Sequence, residues 1–297
     1  YYLNREQYGD TPLFYGQTYN APVKLEVKGQ MCIPVEKQGH AQYAPAPKKD
    51  GEKDRYVITG YKTSYEYMDE FKMLFPRMHS GQPSHIQAYK EWANVEGKKI
   101  RYDYCGQTKT EYCPTFMENI KFFFSYQVNF MYWRYFMWNF AGRQNDIQGN
   151  GEIEHGNWIT GIPAVDNFLV GNQEFLPSDL KNNKGHNVFF CLPLILGMIG
   201  LFWQAYKGEK GIQQFWVVFF LFFMTGLAIV LYLNQTPLQP RERDYAYAGS
   251  FYAFAIWIGM GVAGMASWLE KKIGEKPAAI LATILGLFVP VQMVSHT

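Results

Sequence analysis

The sequence predicts an α-helical multi-spanning membrane protein with an extracytoplasmic mixed α+β soluble region. Three observations carry this. Charge is segregated: residues 1–186 hold 42 of the 54 charged residues, and residues 187–297 hold 12, in three short clusters. Between those clusters lie four stretches without Asp, Glu, Lys or Arg, at 185–206, 211–240, 245–269 and 277–297. A bilayer core roughly 30 Å thick needs about 20 apolar helical residues, and lipid requires backbone polar groups to be satisfied within the segment. Upstream, β-branched residues alternate with Gly and Pro, which favours short strands and loops in water.

Composition removes several classes. Of 297 residues, 48% are hydrophobic, 18% aromatic and 18% charged, which excludes a disordered chain, a collagen repeat and a disulfide-dense scaffold. The net charge of +2 gives no basic excess for nucleic acid. The chain starts at Tyr1 rather than Met and reads as an internal piece of a longer protein.

In chain order, residues 1–60 read as short strands and loops, with strands near 23–27 and 56–58. Residues 41–55, rich in Pro, Lys and Asp, read as an exposed loop. Residues 65–74 read as a short helix ended by Pro76. Cys105 and Cys113 flank a hairpin candidate and either pair or stay as thiols, since spacing alone does not fix geometry. Near 116–142 lies an aromatic helix with twelve aromatics between 116 and 140. Trp and Tyr prefer the headgroup level, so an interfacial helix fits; a fifth span with an embedded Arg134 is the alternative. Domains are expected at 1–186 and 187–297, the latter with four transmembrane helices at about 187–206, 212–233, 246–269 and 277–295. Ala255, Gly259, Ala263 and Ser267 form a small-residue stripe that predicts close helix packing. Pro193 and Pro290 would kink the first and fourth helices, which membranes tolerate.

Orientation follows from short-loop cations. Lys207, Lys210, Lys271, Lys272 and Lys276 fall on one side, against Arg241 and Arg243 on the other. The larger count marks the cytoplasm, so residues 1–186 face outward.

The loop between the second and third spans, NQTPLQPRERDY (234–245), is the most suggestive site. Guanidinium forks suit bidentate recognition of phosphate, so Arg241 and Arg243 are candidate phosphate ligands, with Arg134 and Arg143 as second candidates. Glu242 and Asp244 are weak candidates for a general base, because acids beside arginines are usually just paired. Tyr132, Trp133, Tyr245 and Asp146 are candidates for substrate contact. Glu152, Glu154 and His155 could ligate a divalent metal, but a solvated loop is the favoured reading, and no metal or other cofactor is expected. Asn234 begins a glycosylation sequon in a poor, juxtamembrane position.

Several strings together carry a resemblance: YLNREQYGD (2–10), PLFYGQ (12–17), FPRM (75–78), FFFSYQVNFMYWRYFMWNFAGRQNDIQ (122–148) and TPLQPRERDYAYAGSFYAFAIW (236–257). The chain resembles the large multi-spanning membrane proteins of Bacteroidota-type bacteria grouped as domain of unknown function 2723. That resemblance implies a C-type glycosyltransferase-like fold, related to the animal protein O-mannosyltransferase that carries the same domain. It also implies transfer of a sugar from a polyprenyl-phosphate donor to a protein or glycan acceptor outside the bacterial inner membrane, with residues 1–186 in the periplasm. In such enzymes the catalytic acid sits in the first outer loop, in a Trp-Asp-Cys-Gly-Glu-like motif. This chain has no such motif, so the catalytic residue is unknown and expected outside it. The rival expectation is a non-enzymatic membrane scaffold for envelope assembly or protein export. A transporter ranks last, because none of the four stretches has an ionisable centre.

Overall fold

The computed structural model describes residues 14–29, 31–47, 51, 53 and 55–295. The string 2–10, and residues 48–50, 52 and 54 of the expected loop, lie outside them. The chain divides into two compact units, Tyr1–Phe123 and Phe124–Thr297.

The first unit is a set of two-stranded antiparallel ribbons around two short helices. Strand β1 (Tyr15–Gln17) pairs with β6 (Lys72–Leu74), β2 (Leu25–Lys28) with β3 (Met31–Pro34), β4 (Glu36–Pro45) with β5 (Tyr56–Tyr65), and β7 (Lys98–Tyr104) with β8 (Gln107–Cys113). Residues 41–45 are therefore strand, not loop, because β4 continues its ladder to Pro45. The helix expected over 65–74 is absent. That stretch holds one 3₁₀ turn, Asp69–Phe71, and then β6, whose backbone groups are satisfied by β1. Helix α1 (Pro83–Ala93) starts on Pro83 and stops at Asn94 in the left-handed region, which follows from proline's fixed φ and asparagine's tolerance of that region. Helix α2 (Phe116–Phe122) opens with a capping box between Thr115 and Glu118. Buried Phe71, Met78, Tyr89 and Phe122 form the small core, with Tyr89 edge-on to Phe122 at 4.8 Å.

Cys32 and Cys105 form a disulfide, and Cys113 is a buried thiol. Cys105 and Cys113 cannot pair. The β7–β8 turn is Cys105-Gly106, both at positive φ, as a two-residue hairpin turn requires. Cys113 lies opposite Lys98 at the far end of the ladder, roughly 20 Å away at about 3.4 Å per residue.

The second unit opens with a π-helix (Phe123–Trp133) that passes into α3 (Arg134–Phe140). After β9 (Gly142–Arg143), α4 (Pro163–Val170), α5 (Ser178–Lys181) and β10 (Asn187–Val188) come α6 (Leu192–Ala205), α7 (Glu209–Thr225), α8 (Leu227–Leu233), α9 (Ala248–Ile273) and α10 (Glu275–Ser295). Among the described residues, three helical segments are long and apolar enough to cross a membrane: Glu209–Leu233, Asp244–Ile273 and Glu275–Ser295. The first expected span is shorter than 187–206. Residues Asn187–Val188 pair with Gly142–Arg143, and Pro193 sits in the first turn of α6. The helix thus has 14 residues, roughly 21 Å at 1.5 Å per residue, and Pro193 starts it rather than kinking it.

The aromatic segment is partly buried and partly exposed, with Phe124 and Trp133 on its open side. Phe136, Met137 and Phe140 are buried with Phe254 and Trp257 in the core of the second unit. Eight of the twelve aromatics between 116 and 140 are buried.

Glycines set the helix contacts. A Cβ on Gly197 would strike Phe254, one on Gly200 the Trp257 carbonyl, and one on Gly264 would meet Trp203. Positions rise together, so α6 and α9 run parallel. Helix α7 runs antiparallel to α9, since Phe215 stacks on Trp257 while Thr225 meets Gly249. The stripe Ala255, Gly259 and Ala263 is exposed instead; the buried face of α9 carries Ala253, Phe254, Trp257, Gly261 and Gly264. Lys207, just after α6, and Lys271 and Lys272, in the last turn of α9, therefore share one end of the bundle. Lys207 caps the Trp203 ring and Lys272 the Trp268 ring. Arg241 and Arg243 precede α9 at the other end.

Candidate functional site

The four candidate arginines come from two segments, 134–143 and 241–243. Arg134 heads α3 and is 3% exposed. Its Nη2 donates to Glu242 Oε2 at 2.7 Å and its Nη1 to Glu242 Oε1 at 3.2 Å. Nη1 also donates to the Gly156 carbonyl at 2.8 Å, and Nε to the Phe130 carbonyl at 3.0 Å. The Tyr135 hydroxyl donates to Glu242 Oε2 and accepts from the Arg243 backbone N–H. Arg134 is thus a strut whose charge is neutralised locally. Glu242 is committed to two partners, an arrangement unlike a poised base. Burial pushes the Tyr135 phenol upward, with Glu242 adding to the rise.

Trp138 carries two guanidinium groups against its ring, Arg143 at 4.0 Å and Arg134 at 4.7 Å. The Arg143 Nε finds no hydrogen-bond partner among the described residues. Burial pulls its pKa below the ordinary range, while Glu242, Asp146 and Asp244 oppose that. An arginine stays charged through such a shift, so a half-buried positive charge remains here. Arg241 is exposed and donates to Tyr245 Oη at 3.1 Å, lying over that ring. Asp244 opens the 3₁₀ turn Asp244–Tyr247 that leads into α9.

The substrate-contact candidates separate by exposure. Tyr245 at 52% and Trp133 at 41% are accessible, and Asp146 is exposed. Tyr132 is buried, edge-on to Tyr247, with its hydroxyl donating to Ser250 Oγ at 3.3 Å. Burial pushes its phenol up to about 12, against the opposing Ser250 hydrogen bond. Tyr132 therefore packs rather than binds.

Loop 144–157 is fixed by two buried amides. Gln144 bonds Ile153, Gln173 and Asn157, and Asn145 bonds Glu154, Ile147 and Gly156. No group of three or more His, Cys, Asp or Glu able to hold a metal occurs among the described residues. Asn234 of the sequon is 1% exposed and accepts from Gln127 Nε2 at 3.1 Å, so its amide is inaccessible to a glycosylating enzyme.

Sequence reading missed Tyr135, Trp138 and Gln127. Gln127 left a signal: an amide inside an aromatic run needs partners, because burying it unpaired is unfavourable. Tyr135 and Trp138 left none, being two aromatics among twelve.

Residues 9–124 match the model of a family described as "Family of unknown function (DUF8416)". That span coincides closely with the first unit and leaves the arginine cluster outside it. No curated protein and no solved structure matches the chain.

Proposed function

We propose that the chain is part of an integral membrane glycosyltransferase that transfers a sugar from a polyprenyl-phosphate donor to a protein or envelope glycan. The single observation that carries this reading is the half-buried Arg143, on the Trp138 ring and within reach of the charges of Glu242 and Asp244, which belong to the same loop as Arg241 and Arg243. Transfer from a lipid phosphate requires cationic stabilisation of the leaving group, which the guanidinium groups of Arg143, Arg241 and Arg243 would supply. Arg134 supports the site as a strut and does not itself hold phosphate. The catalytic base is assigned to no residue; Glu242 is occupied, and the resemblance puts the acid elsewhere. The fold we propose is C-type glycosyltransferase-like.

The proposed location is the bacterial inner membrane, with residues 1–186 in the periplasm. The Cys32–Cys105 disulfide supports this, because such bridges persist in oxidising compartments. The lysine-rich opposite end supports it through the cytoplasmic bias of short-loop cations.

The test is transfer of labelled sugar from several polyprenyl-phosphate donors to envelope acceptors by the purified protein in detergent. Transfer lost in Arg241→Ala/Arg243→Ala, with thermal stability kept, supports the reading. No transfer from any donor sinks it. A second reading, a non-enzymatic envelope scaffold, is favoured by one observation: the Arg134–Glu242–Tyr135 contact is closed on itself, as a purely structural tie would be.

A further inference from the structure

Three of the five buried glutamines described in the second unit each leave one amide atom without a partner among the described residues: Gln127 Oε1, Gln235 Nε2 and Gln239 Oε1. Gln127 and Gln235 are each 2% exposed and Gln239 is 9% exposed. Two of the amide orientations are fixed by what the nitrogen does. Gln127 Nε2 donates to Asn234 Oδ1 at 3.1 Å and to the Gln235 carbonyl at 2.7 Å. Gln239 Nε2 donates to the Thr236 carbonyl at 2.6 Å and to Thr236 Oγ1 at 3.2 Å. Both oxygens are therefore the atoms left over. A buried polar atom without a partner is destabilising by about 1–3 kcal/mol, and native proteins rarely keep several together without a use.

These amides adjoin the arginine cluster. Gln235 and Gln239 share the loop of Arg241 and Arg243. The Tyr126 hydroxyl is hydrogen-bonded to the Gln239 backbone and feels the charges of Arg134, Glu242 and Arg243. Tyr126 stacks on Phe130 at 5.6 Å, and the Arg134 guanidinium lies over that same ring at 3.9 Å.

We propose that Gln127, Gln235 and Gln239 form a subsite for the hydroxyl groups of a sugar, next to the arginines that hold its phosphate. The set offers two acceptors and one donor. A hydroxyl both donates and accepts, so a polyol satisfies all three, which neither a bare phosphate nor an alkyl chain does. This inference rests on the phosphate role given to the arginines, and it adds the part of the ligand that the phosphate carries.

The experiment compares two lipid classes on the purified full chain in nanodiscs. One is bare undecaprenyl phosphate; the other is the same lipid carrying mannose, glucose or N-acetylglucosamine. Binding is followed by tryptophan fluorescence. The wild type is expected to bind at least one sugar-bearing lipid about tenfold more tightly than the bare lipid, as loss of hydrogen-bonded hydroxyls predicts. Gln235→Met and Gln239→Met should each bring that ratio close to one while affinity for bare lipid persists. Gln235→Met removes a donor with no partner in the chain, so its melting temperature should hold or rise. Equal wild-type affinity for both lipid classes overturns the sugar subsite and leaves the phosphate reading standing. So does a ratio that survives in Gln235→Met, or a melting temperature that falls in it, which would make the amide a structural tie. Binding of neither lipid class overturns the phosphate reading and this inference with it.

Discussion

Arg134 and Glu242, 108 residues apart, form a two-pronged ion pair, Nη2 to Oε2 at 2.7 Å and Nη1 to Oε1 at 3.2 Å. The pair ties the first turn of α3 to the loop before α9. Removing one partner leaves the other charge buried and unpaired, which is destabilising by about 3 kcal/mol. Arg134→Ala and Glu242→Ala should each lower stability by that order in detergent denaturation. Arg134→Met/Glu242→Leu should lose less than either single change, because no unpaired charge remains. Additive losses in the double variant would contradict the pairing.

Among the described residues, Arg241 makes an exposed contact with Tyr245. Arg241→Ala is expected to change stability by less than about 0.5 kcal/mol. It should weaken binding to vesicles containing polyprenyl phosphate, with a smaller effect at high salt, where charge attraction is screened. Unchanged vesicle binding at low salt would remove Arg241 from the phosphate site.

Helices α6 and α9 approach through glycines. A Cβ at Gly200 would overlap the Trp257 carbonyl, and one at Gly261 the Leu196 carbonyl, whereas one at Gly259 meets nothing within 4 Å. Gly200→Ala and Gly261→Ala should each destabilise the second unit by about 3 kcal/mol, near the upper end of overpacking costs. Gly259→Ala should be neutral. Thermal melts of the three variants side by side test this, and equal melts would mean the α6–α9 contact is looser than described.

The disulfide joins Cys32 in β3 to Cys105 in the β7–β8 turn, 73 residues apart. Cys105→Ser should destabilise the first unit by about 2–5 kcal/mol. Alkylation of the unreduced, unfolded protein should label two cysteines, Cys113 and Cys191. Labelling of Cys32 would contradict the bridge.

Glu118 gives the first unit a dependence on acid. Burial alone would raise its pKa, but hydrogen bonds from the Gly97, Thr115 and Glu96 backbone and the Thr115 hydroxyl outweigh that and lower it. A carboxylate depressed in the folded state adds stability above its unfolded value of about 4.3. That stability is lost as pH falls through the folded value. Glu118→Gln should lower stability at neutral pH and flatten its decline below about pH 4.5. A variant that keeps the wild-type acid slope would show that another group sets it.

Much of the second unit's plan was legible as a one-dimensional signal. Charge-free runs located four helices, three of them long and apolar enough to cross a membrane, and lysine counts grouped ends that α6 and α9, running parallel, do bring together. The hairpin near Cys105 was legible, but not its turn or its disulfide partner, because pairing depends on where two ribbons meet. The helix expected over 65–74 failed because its strand partner lies near Tyr15, far outside any local window.

The sequence by itself determined which segments suit lipid and which suit water, and which cations lie between spans, since these depend on composition over about 20 residues. Tertiary structure alone decided what those cations do. It tied Arg134 to Glu242 and Tyr135, laid Arg143 on Trp138, left Arg241 exposed, and turned the Ala255–Gly259–Ala263 stripe outward while Gly200 and Gly261 made the close contact. Four arginines look alike along a chain. Arg134 is neutralised by Glu242 from 108 residues away, at hydrogen-bonding distance, whereas Arg143 and Arg241 rest on the nearby rings of Trp138 and Tyr245.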